Sequence, residues 1–513
     1  MTGTRSAAPT RHGPRRADAG IAGVMSAAVA LGVGELVAGV AAGWVSPVEA
    51  VATEVIDRAP LPLERFAIET FGNDDKLVLV VGVVATSLLL GAGLGLVARR
   101  RPALAAAGFA GFALVGMLAG SLVPSLAAGV AGIVALLGLG SRTTPRAPRP
   151  LGATSAAGHD RRRFLSIGAA AGAAAALAAV GGRSLRSRFS AADSRAAVQL
   201  PRAARPLPAV PAAVAVDVAG VAPFVTPNAD FYRVDTALIV PQVRSEDWTL
   251  DVTGLVDRPL RLRFDELLRR VLVEADITMT CVSNPVGGDL VGHARWLGVP
   301  VRELLEEAGA RRERADQLVG RSTDGYTCGF PLDHAYDTDA LVAVGMNGEP
   351  LPLAHGFPAR LVTPGLYGYV GSSKWLTELE VTTFDAFDQY WVRRGYADRA
   401  PVKTMSRIDA PRSGQRVRAG RVPVAGVAWA QTRGIEAVEV QVDDGPFAPA
   451  ELAEAWGDDA WRQWRFDWDA TPGRHNLTVR AVDGTGATQT ERRRDVVPDG
   501  ASGWMSLVVL VDP

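Results

Sequence analysis

The chain has 513 residues, 48% hydrophobic and 21% charged, with 54 basic and 54 acidic residues and a formal net charge of +0. Such a length exceeds one ordinary domain, and the balanced charge supplies no basic field for nucleic acid. Only two cysteines occur, Cys281 and Cys328: too few for a multi-bridge framework, they leave a thiol for metal or redox chemistry unless they pair with each other.

Up to about Gly182 the sequence is dominated by Ala, Gly, Leu and Val, with charges in short clusters. Stretches near Ala19 to Trp44, Leu77 to Ala98, Ala103 to Gly120 and Leu122 to Leu139 reach or approach the about 20 helical residues that cross a hydrocarbon core. Phe164 to Gly182, Ala-rich and weaker, is a fifth. Because Lys and Arg in short loops stay on the cytoplasmic side, Arg5, Arg11, Arg15 and Arg16 place the N-terminus inside. The acidic loop carrying Glu49, Glu54, Asp57, Glu64, Glu69, Asp74 and Asp75 is then outside. Arg99 to Arg101, and later Arg142, Arg146, Arg149 and Arg161 to Arg163, return the chain inside, so five crossings place everything after about Arg183 outside. Asp160-Arg161-Arg162-Arg163-Phe164-Leu165 before a mild helix resembles a twin-arginine export signal that stays uncleaved as an anchor. None of the six histidines falls in a predicted span, so no haem is expected in this chain. Glu35 is the main ionisable exception and reads either as a helix-interface side chain or as the mark of a function, and Gly91, Gly93 and Gly95 permit close helix packing.

Residues 183–215, rich in Arg, Ala, Ser and Pro, read as a linker. Residues 216–395 mix strand candidates such as Trp248 to Val252 and Ala359 to Val362 with helix candidates such as Phe264 to Leu272 and Val301 to Ala308, an α+β domain. Residues 396–513 change to repeated short strands: Val422 to Ala430, Ile435 to Val442, Trp461 to Trp468, His475 to Val482 and Ser506 to Val511. Turn signals at Asp443-Asp444-Gly445 and Pro472-Gly473 separate them. About seven strands in such a length predict an immunoglobulin-like sandwich. The predicted fold class is thus multidomain: an α-helical membrane bundle (1–182), an α+β domain and a β-sandwich.

Cys281 lies in Thr278-Met279-Thr280-Cys281-Val282-Ser283-Asn284-Pro285, after a strand-like run from about Val273. A thiolate fixed at a strand end before an Asn/Pro/Gly turn suits a transition metal. It also suits a cysteine-dependent hydrolase or transferase using His293 or His355. The stretch from Cys281 to Trp296, ending Gly292-His293-Ala294-Arg295-Trp296, resembles the molybdenum-ligand loop of the sulfite oxidase family. So do Met346-Asn347-Gly348-Glu349-Pro350-Leu351-Pro352, His355-Gly356-Phe357-Pro358-Ala359-Arg360-Leu361-Val362-Thr363-Pro364-Gly365 and Lys374-Trp375-Leu376. Ile408-Asp409-Ala410-Pro411, Gly426-Val427-Ala428-Trp429-Ala430 and Arg433-Gly434-Ile435 look like that family's immunoglobulin-like dimerisation domain.

The resemblance implies one molybdenum per chain, held by a molybdopterin dithiolene and by Cys281. His355, Arg360, Ser372, Ser373 and Lys374 match groups that hold the pterin and its phosphate, chemistry for which guanidinium and ammonium groups are suited. Asn228, in Thr226-Pro227-Asn228-Ala229-Asp230, matches a further cofactor contact. Tyr326 aligns with the tyrosine beside the reacting oxo group and Arg295 with an arginine near the substrate anion. Pro227, and Pro285-Val286, stand where sulfite-oxidising members carry basic residues, so sulfite and S- or N-oxides are both carried forward as small-molecule substrates. The implied partners are an external electron carrier, either a cytochrome or a quinone-linked protein, the membrane lipid, and a second copy of the chain through the C-terminal domain. A catalytically inactive anchored binding protein is the non-enzymatic alternative.

Overall fold

The structure, a computed structural model, describes residues 16–60, 63, 66, 70–71, 75–143 and 157–513, and the chain divides into two compact units, Met1–Ser190 and Ala191–Pro513. The first is helical: α1 (Arg16–Ala38), α2 (Pro47–Arg58), α3 (Asp75–Ala98), α4 (Pro102–Leu118), α5 (Leu122–Thr143) and α6 (Ala157–Ser187). Among the described residues, Arg16–Ala38, Lys76–Ala98, Leu122–Leu139 and Ser166–Ala197 are long and apolar enough to cross a membrane; Pro102–Leu118 is apolar but shorter. Arg5, Arg11, Arg15, Glu64, Glu69, Asp74, Arg146 and Arg149, on which much of the predicted topology rests, lie outside the described residues.

Two expectations are corrected here. The first apolar stretch does not remain helical to Trp44: α1 ends at Ala38, and the acidic segment after it begins as a helix, α2. Its start is a capping box with Pro47 in the first turn, in which Ser46 Oγ accepts from Glu49 N (3.1 Å) and Glu49 Oε2 accepts from Ser46 N (3.3 Å). Glu49 also pairs with Arg186, and Glu35 lies beside Ser46, Glu49, Arg183 and Arg186, a polar cluster near the end of α1. Second, of the three glycines expected at helix contacts, Gly91 and Gly95 serve there and Gly93 meets open space. A Cβ on Gly23 would sit 2.0 Å from the Gly91 carbonyl oxygen, so α1 and α3 touch backbone to backbone, the approach that only small residues allow.

The second unit starts inside the stretch expected to be a linker. Residues 183–187 complete α6, and residues 191–215 are held in place rather than free. On α7 (Ala192–Ala197), Arg195 donates to the carbonyls of Leu351 (2.8 Å) and Pro350 (2.7 Å), and Leu207 N donates to Glu274 (2.7 Å). No local periodicity advertises such a segment, because its partners are backbone and carboxylate groups far away in sequence.

Two sheets carry the α+β part. One has the order β2-β1-β10-β5-β6, from β1 (Thr249–Gly254), β2 (Leu260–Arg263), β5 (Gln317–Ser322), β6 (Thr327–Pro331) and β10 (Leu376–Thr382). The other has the order β3-β4-β7-β8, from β3 (Val273–Thr280), β4 (Val291–Pro300), β7 (Leu341–Met346) and β8 (Glu349–Pro350), with β9 (Arg360–Val362) also paired to β7. Every residue of β7 is buried, as expected of an inner strand. The antiparallel hairpin β3–β4 runs in register from Val273↔Gly298 to Thr280↔Val291, so its connecting loop begins at Cys281.

Residues from Met405 on form two further sheets, β11-β13-β17-β16 and β12-β19-β18-β14-β15. Their strands are β11 (Met405–Ala410), β12 (Arg416–Arg418), β13 (Gly420–Trp429), β14 (Ile435–Val442), β15 (Ala448–Pro449), β16 (Glu451–Leu452), β17 (Arg462–Ala470), β18 (Gly473–Asp483) and β19 (Met505–Asp512). Val424, Trp464 and Trp468 of one sheet share a core with Val440, Leu477 and Val509 of the other, a two-sheet packing built from the inward side of each pleat. The long strands were legible because alternation and turn residues agree: Asp443 takes φ +52 where the Asp-Asp-Gly turn was expected.

Candidate functional site

Cys281 leaves β3 at the hairpin end, with its N–H donating to Leu290 O (2.9 Å). Asn284 closes the loop: its N–H donates to Cys281 O (3.1 Å) and its side-chain oxygen accepts from Leu290 N (2.9 Å). Cys281 and Cys328 are both free and buried, so the disulfide that would have silenced the site is not formed. Burial raises the Cys281 thiol above its ordinary value, opposed by hydrogen bonds from Ser283 and by the positive charge of Lys374. Cys328, 0% exposed, is pushed up to about 12 by burial and packs inside the neighbouring sheet.

Beside this sulfur the chain gathers cations and orphaned polar atoms. Arg360, first residue of β9, is 4% exposed, and among the described residues no carboxylate pairs with it. Its Nη1 donates to His355 O (3.2 Å) and its Nη2 reaches Ser372 Oγ (3.4 Å) and Met279 Sδ (3.6 Å), two residues before Cys281. Burial lowers Arg360 to about 10. A guanidinium withdrawn from water without a counter-ion is costly. Four buried atoms in this neighbourhood have no hydrogen-bond partner: Arg360 Nε, His355 Nδ1, Ser373 Oγ and Thr363 Oγ1. Native structures rarely leave such groups unpaired, and a buried guanidinium without a carboxylate, beside a histidine with a free ring nitrogen, suits a polar anionic ligand. His355 is held by its other nitrogen, Nε2, against Asn228 O (3.2 Å), and burial followed by the charges of Arg360 and Lys374 lowers it to about 4.

Two expected contacts are already engaged within the chain. Lys374, lowered to about 8 by burial, donates from Nζ to Asp235 Oδ2 (2.9 Å) and Val234 O (3.0 Å). The Asn228 side chain donates to Met346 O (3.2 Å) and accepts from Asn347 (2.9 Å), leaving its carbonyl as the group turned to His355.

Tyr326 stands just before β6, and its hydroxyl donates to Tyr369 O (2.9 Å). Burial, then the sulfurs of Cys328 and Cys281, hold that hydroxyl well above its ordinary value. Tyr232 and Tyr367, which sequence reasoning missed, are raised by burial and also carry an electrostatic contribution from Cys281. The Tyr pair flanking Gly368 next to a Ser-Ser-Lys motif was the available signal for Tyr367.

Arg295 is a correction. It lies opposite Asp276 in the β3–β4 register, five residues before Cys281 along β3, or about 16 Å at strand rise. Its Nε and Nη2 fork onto the two Asp276 oxygens (2.9 and 2.7 Å), and Trp456 Nε1 shares that carboxylate (2.6 Å). The side chain is engaged as a cross-strand brace. His293, the other histidine of the cysteine-hydrolase alternative, bonds Thr278 Oγ1 through Nδ1 (3.0 Å) between the rings of Phe224 and Trp461, and burial lowers it to about 4. Among the described residues neither imidazole hydrogen-bonds to Cys281, and no three His, Cys, Asp or Glu side chains converge as a metal site. The chain can offer a metal one thiolate here, with other ligands coming from a bound group.

The family model described as oxidoreductase molybdopterin binding domain matches residues 237–391. The mitochondrial sulfite oxidase of Homo sapiens is 30% identical over 312 residues, covering 51% of this chain and 56% of that protein. The oxidoreductase YuiH of Bacillus subtilis (strain 168) is 36% identical over 149 residues, covering 29% of this chain and 72% of that one. The chain thus spans little more than half of the human relative. In fold, the sulfane dehydrogenase SoxCD of Paracoccus pantotrophus superposes with a TM-score of 0.50 at 24% identity over 56% of this chain and 84% of that one.

Proposed function

Because the chain belongs to the sulfite oxidase family of molybdopterin-dependent oxidoreductases, we propose that it transfers an oxygen atom between water and a small substrate at a molybdenum bound through Cys281. The cofactor is molybdenum–molybdopterin, which supplies a two-electron oxygen-atom exchange when bound. The observation that carries the site assignment is the buried Arg360, without a carboxylate partner, reaching both His355 O and Met279, two residues before Cys281. Arg360, Ser373 and His355, each with a buried polar atom free, would hold the pterin cofactor, and Lys374, kept in place by Asp235, lends positive charge to the thiolate. Tyr326, too weakly acidic to ionise, would orient the oxygen being moved by turning its one hydroxyl proton from Tyr369 O onto it.

The substrate we favour is an uncharged S- or N-oxide. Arg295 is spent on Asp276, Lys374 is paired with Asp235, and Pro227, Pro285 and Val286 add no charge, so an anion such as sulfite finds little to attract it. Reduction then balances as XO + 2e⁻ + 2H⁺ → X + H₂O, with electrons from an external carrier. We further propose that the first unit is a membrane anchor with its N-terminus inside, that α6, which carries Arg161 to Arg163, is the export signal, and that the two C-terminal sheets are an immunoglobulin-like dimerisation domain. Turnover of the purified holoprotein with artificial electron carriers tests the substrate reading. Reduction of sulfoxides or N-oxides at a kcat/KM at least about tenfold above that for sulfite oxidation is expected, and the reverse order would replace it with sulfite oxidation.

A further inference from the structure

β3 is an edge strand. Its inner side pairs with β4, while its outer side should leave N–H and C=O groups open. At Thr278 those outward groups are filled from loops joining the C-terminal strands: Thr278 N donates to Asp459 O (2.9 Å), and Gln431 Nε2 donates to Thr278 O (2.8 Å). The same amide reaches Thr280 Oγ1 (3.2 Å), the residue before Cys281. Gln431 is 1% exposed, and its Oε1 is buried with no partner. An apolar side chain of that size would remove the orphaned Oε1 but leave the buried Thr278 carbonyl without its donor, so the glutamine is accounted for by what it donates and not by packing. Its use is the two bonds it makes on the strand that delivers the cysteine.

We infer that Gln431 is a positioning residue of the metal site: by clamping Thr278 and Thr280 it fixes the backbone from which the Cys281 sulfur approaches the molybdenum, making the C-terminal sheets part of the catalytic apparatus. The inference rests on Cys281 as the molybdenum ligand. Ligand orientation set by groups one bond removed tunes a metal's electronics as much as the ligand's identity does.

The test uses the full-length holoprotein with Gln431→Met, which keeps size and removes the donor, and Thr280→Val, which removes one acceptor from the strand side. Molybdenum content, the electron paramagnetic resonance spectrum of the one-electron-reduced metal, and kcat and KM are measured. The expected result is near-normal molybdenum content with a changed spectrum in Gln431→Met, a smaller change of the same sense in Thr280→Val, and kcat lowered about tenfold at similar KM. Wild-type spectra in both variants overturn the inference while leaving the cysteine assignment intact. So does loss of metal or fold in Gln431→Met accompanied by a wild-type spectrum in Thr280→Val, since Gln431 then serves only the sheet contact. A wild-type protein without molybdenum overturns the cysteine assignment itself, and this inference with it.

Discussion

Arg360 and Arg295 are both partly or fully buried guanidinium groups, and their partners separate their roles. Arg295 has a fork of two bonds to a carboxylate that is itself 4% exposed, and a third group, Trp456, depends on the same oxygen. Arg295→Met strands Asp276 and should cost about 3–5 kcal/mol of stability, with turnover per bound molybdenum unchanged; a fall in turnover per molybdenum at normal stability would restore Arg295 to the substrate pocket. Arg360 has no anion of its own among the described residues. Arg360→Met should therefore leave the cofactor-free fold as stable as before or more so, while cofactor retention falls at least about tenfold. Thermal unfolding of the cofactor-free protein and metal analysis check the pair of signs, and a destabilised cofactor-free fold with normal retention would make Arg360 a structural residue. The sequence motif named Cys281, His355, Arg360 and Ser373, and of these His355, Arg360 and Ser373 each carry a buried polar atom without a partner. It misplaced Arg295 because a motif read as a line does not show hairpin direction. Thr280↔Val291 in register already sends residue 295 back to residue 276, away from the loop.

The β3–β4 hairpin is the element on which the site hangs, and it carries a pH liability. His293 on β4 and His355 on the approach to β9 are both held near 4 by burial, well below the ordinary histidine value of 6.5. Between pH 6.5 and 4 the unfolded chain binds protons that the folded chain refuses, so stability falls as pH falls through that window, by roughly 3 kcal/mol per histidine over its full span. Asp459, which burial holds up at about 6, works the other way: the folded chain keeps its proton and gains stability as pH falls from about 6 to 3.8. Two groups outweigh one, so the unfolding temperature should drop from pH 7 to 5, and His293→Asn, which keeps a bond to Thr278 without titrating, should flatten that drop. A slope unaffected by the substitution would assign it to other groups. Strand and helix identities were readable from alternation, but the clamps on this hairpin were not. Gln431 and Asp459 meet Thr278 across more than 150 residues of sequence, and buried amide contacts leave no local pattern.

At the scale of the molecule, two units with separate cores predict separable stability. A chain beginning at Ala191 should fold, bind cofactor and unfold within a few degrees of the full-length protein. Aggregation of that chain in a cofactor-competent host would show that the helices contribute to its core. Composition alone separated an apolar half from a charged one, because a helix facing lipid must be apolar all round whereas a soluble strand alternates. It did not foresee that residues 191–215 are pinned to the second unit, since Arg and Ala without periodicity describe a free chain and a strapped one equally well.

Every role proposed for the site depends on Cys281 giving its sulfur to molybdenum. X-ray absorption at the molybdenum edge, on wild type and Cys281→Ser loaded with cofactor, measures it directly. One fewer sulfur in the metal's first coordination shell of the variant, with turnover lost and the fold retained, is the predicted result. An identical sulfur shell in the two proteins would contradict it.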